Sequence, residues 1–590
     1  MREQAGDEVP IVIEPGRRDI LTAGGLGLLS TLLPAWAAPV SAGLPAPLPG
    51  VSGTDITLRV AHRMLQVDGR ETHAIGINGT VPGPLIRLRE GQDVRLTVIN
   101  DLPDEDTSIH WHGLLVPFQM DGVPGISFPG IKAGQRFSYA FPVRQSGTYW
   151  YHSHSGLQEQ EGHYGPIVID PAGEDPIAYD REHVIVLSDH SAIHPHMIFE
   201  RLKQQGGYFN YQKQTLAGLI AGRDQKAKDR LQWGGMRMDP TDISDVTGSA
   251  YHYLVNGLGP KDNWTGLFRP GERVRLRVIN ASAMTIFNVR IPGLPLTIVA
   301  ADGCAVRPVT VDEFQIANAE TFDVIVTPAD DRAYGLVAET IDRSGMAFAT
   351  FAPRPGLAAS PPPLRTRPIA TMKDMGMDMG NMTMGGTDMA GMDMKGMDHG
   401  AMDMSAMHMG MRDGRNAPSV PLGPGVQTIS PMPADRTGEP GQGLADVGHK
   451  VLVYRDLAAV DRNSDVRAPS RAMRIHLTGN MERYMWAFDG KKLSEVKDPI
   501  PFRAGERVRI TLVNDTMMNH PIHLHGHFFE LVTGHGDHAP RKHTVNVQPG
   551  GTVTFDLTAD AVGDWAFHCH MLYHMHAGMM QIVSVRPDVA

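Results

Sequence analysis

Cysteine is almost absent: 590 residues contain two, Cys304 and Cys569. A disulfide framework is thereby excluded, leaving at most one bridge between them. A surplus of positive charge is absent too. The chain has 54 Lys and Arg against 65 Asp and Glu, a formal charge of −11, and no basic stripe that would take a nucleic acid. Beyond the N-terminal leader no segment holds 18 consecutive apolar residues, so no membrane-spanning helix is expected in the mature chain. What is abundant is methionine, 33 residues, and histidine, 27. Thioether and imidazole in such excess point to copper before zinc or iron–sulfur. The length calls for several domains, because single hydrophobic cores stop growing well before that size.

Arg17 and Arg18 precede an apolar run from Ile20 to Leu33, followed by the small-residue cleavage candidates Ala35-Trp36-Ala37 and Val40-Ser41-Ala42. This is the layout of a signal peptide, residues 1–42. The paired arginines resemble a twin-arginine signal, which exports proteins already folded and metal-loaded. The periplasm is the compartment expected.

Three segments read nearly alike: Gly91 to Asn100 (GQDVRLTVIN), Gly271 to Asn280 (GERVRLRVIN) and Gly505 to Asn514 (GERVRITLVN). Each alternates apolar and polar residues after a glycine turn, the period of a strand with one buried face. Further short alternating runs surround each copy, broken by Gly, Pro, Asn and Asp. Three homologous all-β sandwich domains follow. The first two copies start 180 residues apart and the last two 234 apart, so an insert precedes the third domain. It is visible from Met372 to Met411, where 15 methionines mix with Gly, Asp, His399 and His408. Such a tract cannot bury a core and is expected to be flexible and to bind Cu(I), the ion that favours thioethers.

His110-Trp-His112-Gly follows the first repeat and His523-Leu-His525-Gly the third. Later strands match as well, with His152-Ser-His154 in the first domain and His568-Cys569-His570 in the third; the middle domain has no such pairs. Residues i and i+2 of a strand share a face, so each pair aims at one place. Eight imidazoles from two domains suit a three-copper cluster between them. Pleating then turns Cys569 to the opposite side, where His520, His574 and Met579 complete a mononuclear site. Two His, one Cys and a weak axial Met are the ligands of blue copper. A structural zinc site leaves the repeated pairs unexplained.

The chain resembles the three-domain multicopper oxidases through His110-Trp-His-Gly, His152-Ser-His, His520-Pro-Ile-His-Leu-His-Gly and His568-Cys-His…His574…Met579. Within them it resembles the periplasmic copper-resistance branch (CopA/PcoA type) through Val116 to Gly130, Arg144 to Trp150, the Met-rich insert and the leader. The resemblance implies an all-β fold: three cupredoxin-like Greek-key β-sandwich domains with a Met-rich flexible insert before the third. The expected segments are 50–172 for domain 1, 173–360 for domain 2 without copper ligands, 361–445 for the insert, and 446–590 for domain 3. By the family pattern His110 and His523 hold the type 2 copper. His112, His152, His154, His525, His568 and His570 hold the type 3 pair, and His520, Cys569, His574 and Met579 hold type 1. Asp121 falls where relatives keep a proton-passing acid. A second acid that relatives carry after the His-Cys-His is missing here, its segment reading Met571, Leu572, Tyr573 and Met575.

The resemblance implies one-electron oxidation of a donor at type 1 and four-electron reduction of dioxygen to water at the cluster, with Cys569, His568 and His570 as the link. Met517, Met518, Met571, Met575 and Met580 lie beside type 1 ligands, some as landing places for Cu(I) and about half as core filling. Cu(I) and dioxygen are the expected substrates, in copper resistance. Room remains for further Cu(I) in the insert and for a periplasmic or outer-membrane copper-handling partner. A laccase acting on phenols and a non-catalytic copper-sequestering protein are the alternatives. His163, His535, His538 and His576 are read as solvent histidines.

Overall fold

The computed structural model describes residues 48–377 and 412–587. The leader and most of the methionine tract lie outside the described residues. Six sheets pack as three sandwiches. The first sandwich sets a five-stranded sheet, which includes His110–His112 and Gly147–His152, against a four-stranded sheet. The second pairs six strands with five, and the third seven with five.

The three repeats are the same strand in each sandwich. Asp93–Asn100, Val274–Asn280 and Arg507–Asn514 each pair in parallel with an earlier strand and antiparallel with a later one. Their terminal asparagines explain why that residue recurs. Asn100 Nδ2 donates to the carbonyls of Glu105 and Ile131, Asn280 to Thr285 and Ile316, and Asn514 to Met518 and Val547. In each case the Oδ1 accepts from the backbone N–H two residues on. Each buried amide thus satisfies backbone groups where the chain leaves one sheet for the other. In the first and third sandwiches the next strand carries histidines.

The middle repeat departs from the expected single buried face: Val274–Asn280 is buried throughout. Its polar side meets the first sandwich. There Arg275 and Arg277 pair with Asp323, and Thr148 donates to Asp323 across the interface at 2.7 Å. Charges placed on an outward face are here enclosed by a neighbouring domain and paired.

The described flanks of the insert are packed rather than loose. Ala370, Met375, Val426 and Ile429 are buried, and Ala434–Asp435 pairs with Gly551–Thr552. Arg436 donates to Asp374 and to the Pro549 carbonyl, tying both flanks to the third sandwich.

Candidate metal centres

Register places the histidines before any side chain is considered. His110 stands opposite His152, and His523 opposite His568, on adjacent antiparallel strands of two different sandwiches. The two histidine-bearing sheets meet, so all eight imidazoles share one enclosed space, seven of them buried and His154 partly exposed.

Within that space His525 Nε2 lies 3.0 Å from His568 Nε2, with the His154 ring 5.0 and 5.1 Å from theirs. His152 Nε2 lies 3.3 Å from His570 Nε2, with the His112 ring 5.6 and 4.9 Å from theirs. His110 Nδ1 donates to the Asp121 carbonyl and His523 Nδ1 to that of His543, both at 2.7 Å, so each directs Nε2 inward. His110 Nε2, His112 Nδ1, His154 Nε2 and His523 Nε2 have no protein partner although buried. Burial, reinforced by neighbouring imidazoles, holds His112, His152, His154, His523 and His568 well below the usual histidine range, and His525 at about 4. Neutral rings with unpartnered lone pairs, some facing each other at 3 Å, are a donor set that fits metal ions and little else.

Asp121 serves two of these rings: its carbonyl takes His110 and its Oδ2 accepts from His525 Nδ1 at 2.9 Å. Burial pushes this carboxyl up, but His525 and His110 outweigh it and the net shift is downward. The next residue must be glycine. Gly122 has φ of +83°, and a Cβ there would sit 1.8 Å from the Ile109 carbonyl oxygen, so the loop could not seat beside His110.

On the far side of the Gly563–Cys569 strand, Cys569 Sγ lies 3.6 Å from His520 Nδ1 and 3.8 Å from His574 Nδ1, and those nitrogens are 3.2 Å apart. Met579 is buried and closes the loop: its N–H donates to the His574 carbonyl and its carbonyl accepts from Cys569 N–H. Burial pushes the thiol up, so a thiolate here requires a bound cation. Cys304 is also a free thiol, and the alternative disulfide does not form.

Three residues without a sequence motif touch the histidines of these centres. Asp245 of the middle sandwich, fully buried, accepts from His574 Nε2 and from Tyr484 Oη, both at 2.7 Å. Thr516 Oγ1 holds His520 Nε2 at 2.8 Å. Glu159 Oε2 lies 2.8 Å from His152 Nδ1, and its other oxygen 3.9 Å from His570 Nδ1. Burial, with Asp189 nearby, raises the Glu159 carboxyl well above the usual range. A buried carboxyl from another segment thus stands beside two cluster histidines, whereas the segment after the His-Cys-His carries no acid. The remaining correction is His163, expected in solvent but fully buried against Thr107 and shifted down to about 3 by that burial.

Of the methionines near His520 and His574, Met518 and Met571 belong to the main core and Met575 packs against it. Met517 instead joins Trp233, Ile243, Ala370 and Met375, lined by Met236, Met238, Met372, Met377 and Met481. Beside it opens a cavity of about 290 Å³ lined by Met238, Met481, Met517, Asp239 and Asp242, among others. Asp242 is buried with an unpartnered Oδ1; burial, then Asp245 and Asp239, push its carboxyl well up.

Sequence profiles described as multicopper oxidase match residues 59–174, 181–354 and 467–589, and the chain belongs to the multicopper oxidases. It is 49% identical to the copper resistance protein A homolog of Pseudomonas syringae pv. tomato, covering 95% of this chain and 96% of that protein. It is 46% identical to copper resistance protein A of Escherichia coli, covering 98% and 100%. The solved structure of Fet3p, a multicopper oxidase that functions in iron import, superposes with a TM-score of 0.62 at 18% identity, covering 91% and 90%. That likeness establishes the cupredoxin-like fold.

Proposed function

We propose that this protein is a periplasmic copper-resistance oxidase that converts Cu(I) to Cu(II) with dioxygen as acceptor. Four Cu(I), one O2 and four protons would give four Cu(II) and two waters. Four resident coppers supply the one-electron transfers and the oxygen reduction when bound. His520 Nδ1, Cys569 Sγ, His574 Nδ1 and Met579 would hold type 1, His110 and His523 type 2, and His112, His152, His154, His525, His568 and His570 the type 3 pair. The chain then does the positioning. Backbone carbonyls fix the tautomers of His110 and His523, Asp121 and Glu159 orient His525 and His152, and Glu159, its carboxyl raised by burial, offers a buried oxygen at which a proton can reside. Between the centres lie only covalent bonds, since Cys569 is flanked by His568 and His570.

The single observation that carries the choice of Cu(I) is the thioether cavity. Met238, Met481 and Met517 present soft sulfur, Asp242 supplies a buried oxygen, and Asp245 beside it is hydrogen-bonded to His574. A phenol would find acid and sulfur there rather than an open apolar groove. Export by the twin-arginine leader and Cu(I) storage in the 372–411 tract belong to the same reading and rest on sequence. The test is oxygen uptake with Cu(I) and with a phenol by a Met238→Leu/Met481→Leu protein. Cu(I) oxidation should fall by about tenfold or more, ~1.4 kcal/mol of barrier, while phenol oxidation holds. Equal losses would favour a laccase, and no uptake by the unaltered protein a sequestering role.

A further inference from the structure

The outer face of the first sandwich gathers imidazoles that the two metal centres do not use. On the hairpin of Asp55–Val67 and Arg70–Ile77, Met64 stands directly across from His73, with His62 one step along the same face; all three are exposed. The rings of His62 and His73 are 4.8 Å apart and tilted by 47°. A third imidazole approaches from another element: His194, which caps the helix Pro195–Gln204, lies within electrostatic reach of His73. Its Nε2 is 3.6 Å from Glu161 Oε1, and its side chain is 57% exposed.

Glu161 has Glu105 as a charged neighbour, and among the described residues neither pairs with an Arg or Lys. Burial and Glu105 raise Glu161 to about 7; burial and the adjacent imidazoles His62 and His194 lower His73. Three imidazoles and two carboxylates thus gather in one place without an Arg or Lys paired to either carboxylate among the described residues. The turn at residues 156–162 separates this patch from the buried cluster: Glu159 faces His152, whereas Glu161, two residues on, faces His194.

We propose that His62, His73 and His194, with Glu161, form a surface binding site for Cu(II), separate from the buried histidine cluster and the cysteine site. Imidazole nitrogen and carboxylate oxygen suit the divalent ion, and nitrogen-rich sites hold Cu(II) more tightly than other first-row divalent metals. Met64 adds a soft atom at the rim. The proposal stands whether or not Cu(I) is the electron donor.

The test is Cu(II) titration of the copper-loaded full chain, read by electron paramagnetic resonance, alongside a protein lacking residues 378–411. Both should take up one additional Cu(II) with nitrogen superhyperfine splitting. The His62→Ala/His73→Ala protein should bind it at least tenfold more weakly, with the blue absorption unchanged. Equal affinity in that variant, or no nitrogen-ligated extra ion in the unaltered chain, would overturn the site. Independently of any variant, Cu(II) should protect His62 and His73 from diethylpyrocarbonate; rings that stay reactive would equally overturn it.

Discussion

The middle sandwich and its two neighbours use the same place in the fold for opposite purposes. In the first and third, the strand after the asparagine brace sets His110 opposite His152 and His523 opposite His568. In the second, Phe287–Arg290 follows the brace and sets Asn288 opposite Glu339 and Arg290 opposite Glu313. Both glutamates are fully buried, and Arg365 reaches them in a fork, Nη1 and Nη2 to Glu313 and Nε to Glu339. Arg290 lies 3.3 Å from Glu339, and His449 2.6 Å from Glu313. Arg365 and His449 flank the methionine tract on either side. The same place in the fold thus holds imidazoles that fit metal ions in the outer domains and carboxylates that hold guanidinium in the middle one. The second use anchors both ends of the insert.

The comparison is broken most severely at Cys569. Cys569→Ser should abolish the intense visible absorption and lower turnover by about a thousandfold, ~4 kcal/mol of barrier, while leaving the histidine cluster able to take copper. Acid should separate the two uses next. In the metal-free protein His525 and His543 are lowered to about 4 and His163 to about 3, chiefly by burial, so the unfolded chain binds more protons between pH 6.5 and 4. Stability contributed by these rings is present above pH 6.5 and lost as pH falls through that window. The loss should reach several kcal/mol, measured by urea unfolding at stepped pH. Glu313→Ala tests the middle domain. It removes the partner of Arg365 Nη1 and Nη2, leaving Glu339 to hold Arg365 and Arg290 alone, and should cost about 3 kcal/mol in the same assay, with copper content and spectrum unaltered. Asp245→Asn lies between the regions: loss of its charge beside His574 should raise the type 1 potential and slow Cu(I) oxidation by about tenfold, followed by redox titration and oxygen uptake. The smallest effect is expected from deleting residues 378–411, which should leave the thermal midpoint in place because the Arg365 and His449 anchors remain.

Much of this was readable in the sequence because strand periodicity converts directly into geometry. His-x-His on a strand means two rings on one side, and a cysteine between two histidines must face away; the structure places the eight rings in one space and Cys569 beside His520 and His574. The brace asparagines were visible as repeat ends, although their role needed the opposite sheet. Asp245 and Glu159 left no trace, since a lone acid in a loop has no period; the partner histidine of Asp245 lies 329 residues away, and Glu159 sits in the turn that follows the strand of its partner His152. The buried face of Val274–Asn280 was misread for a related reason. Alternation reports which residues are polar, and only the neighbouring domain decides whether the polar side meets water.

His574 is held by Asp245, a buried side chain from the one sandwich that contributes none of the expected copper ligands. If the thioether cavity selects the donor as proposed, part of that selection is written in the middle sandwich, through Met238 and Asp239, and part beside His520, through Met517. Replacements at Met236, Met238 or Asp239, short of Asp245, could redirect the oxidase to a new reductant without touching a histidine of either centre, which leaves preference free to diverge among descendants whose redox machinery stays constant.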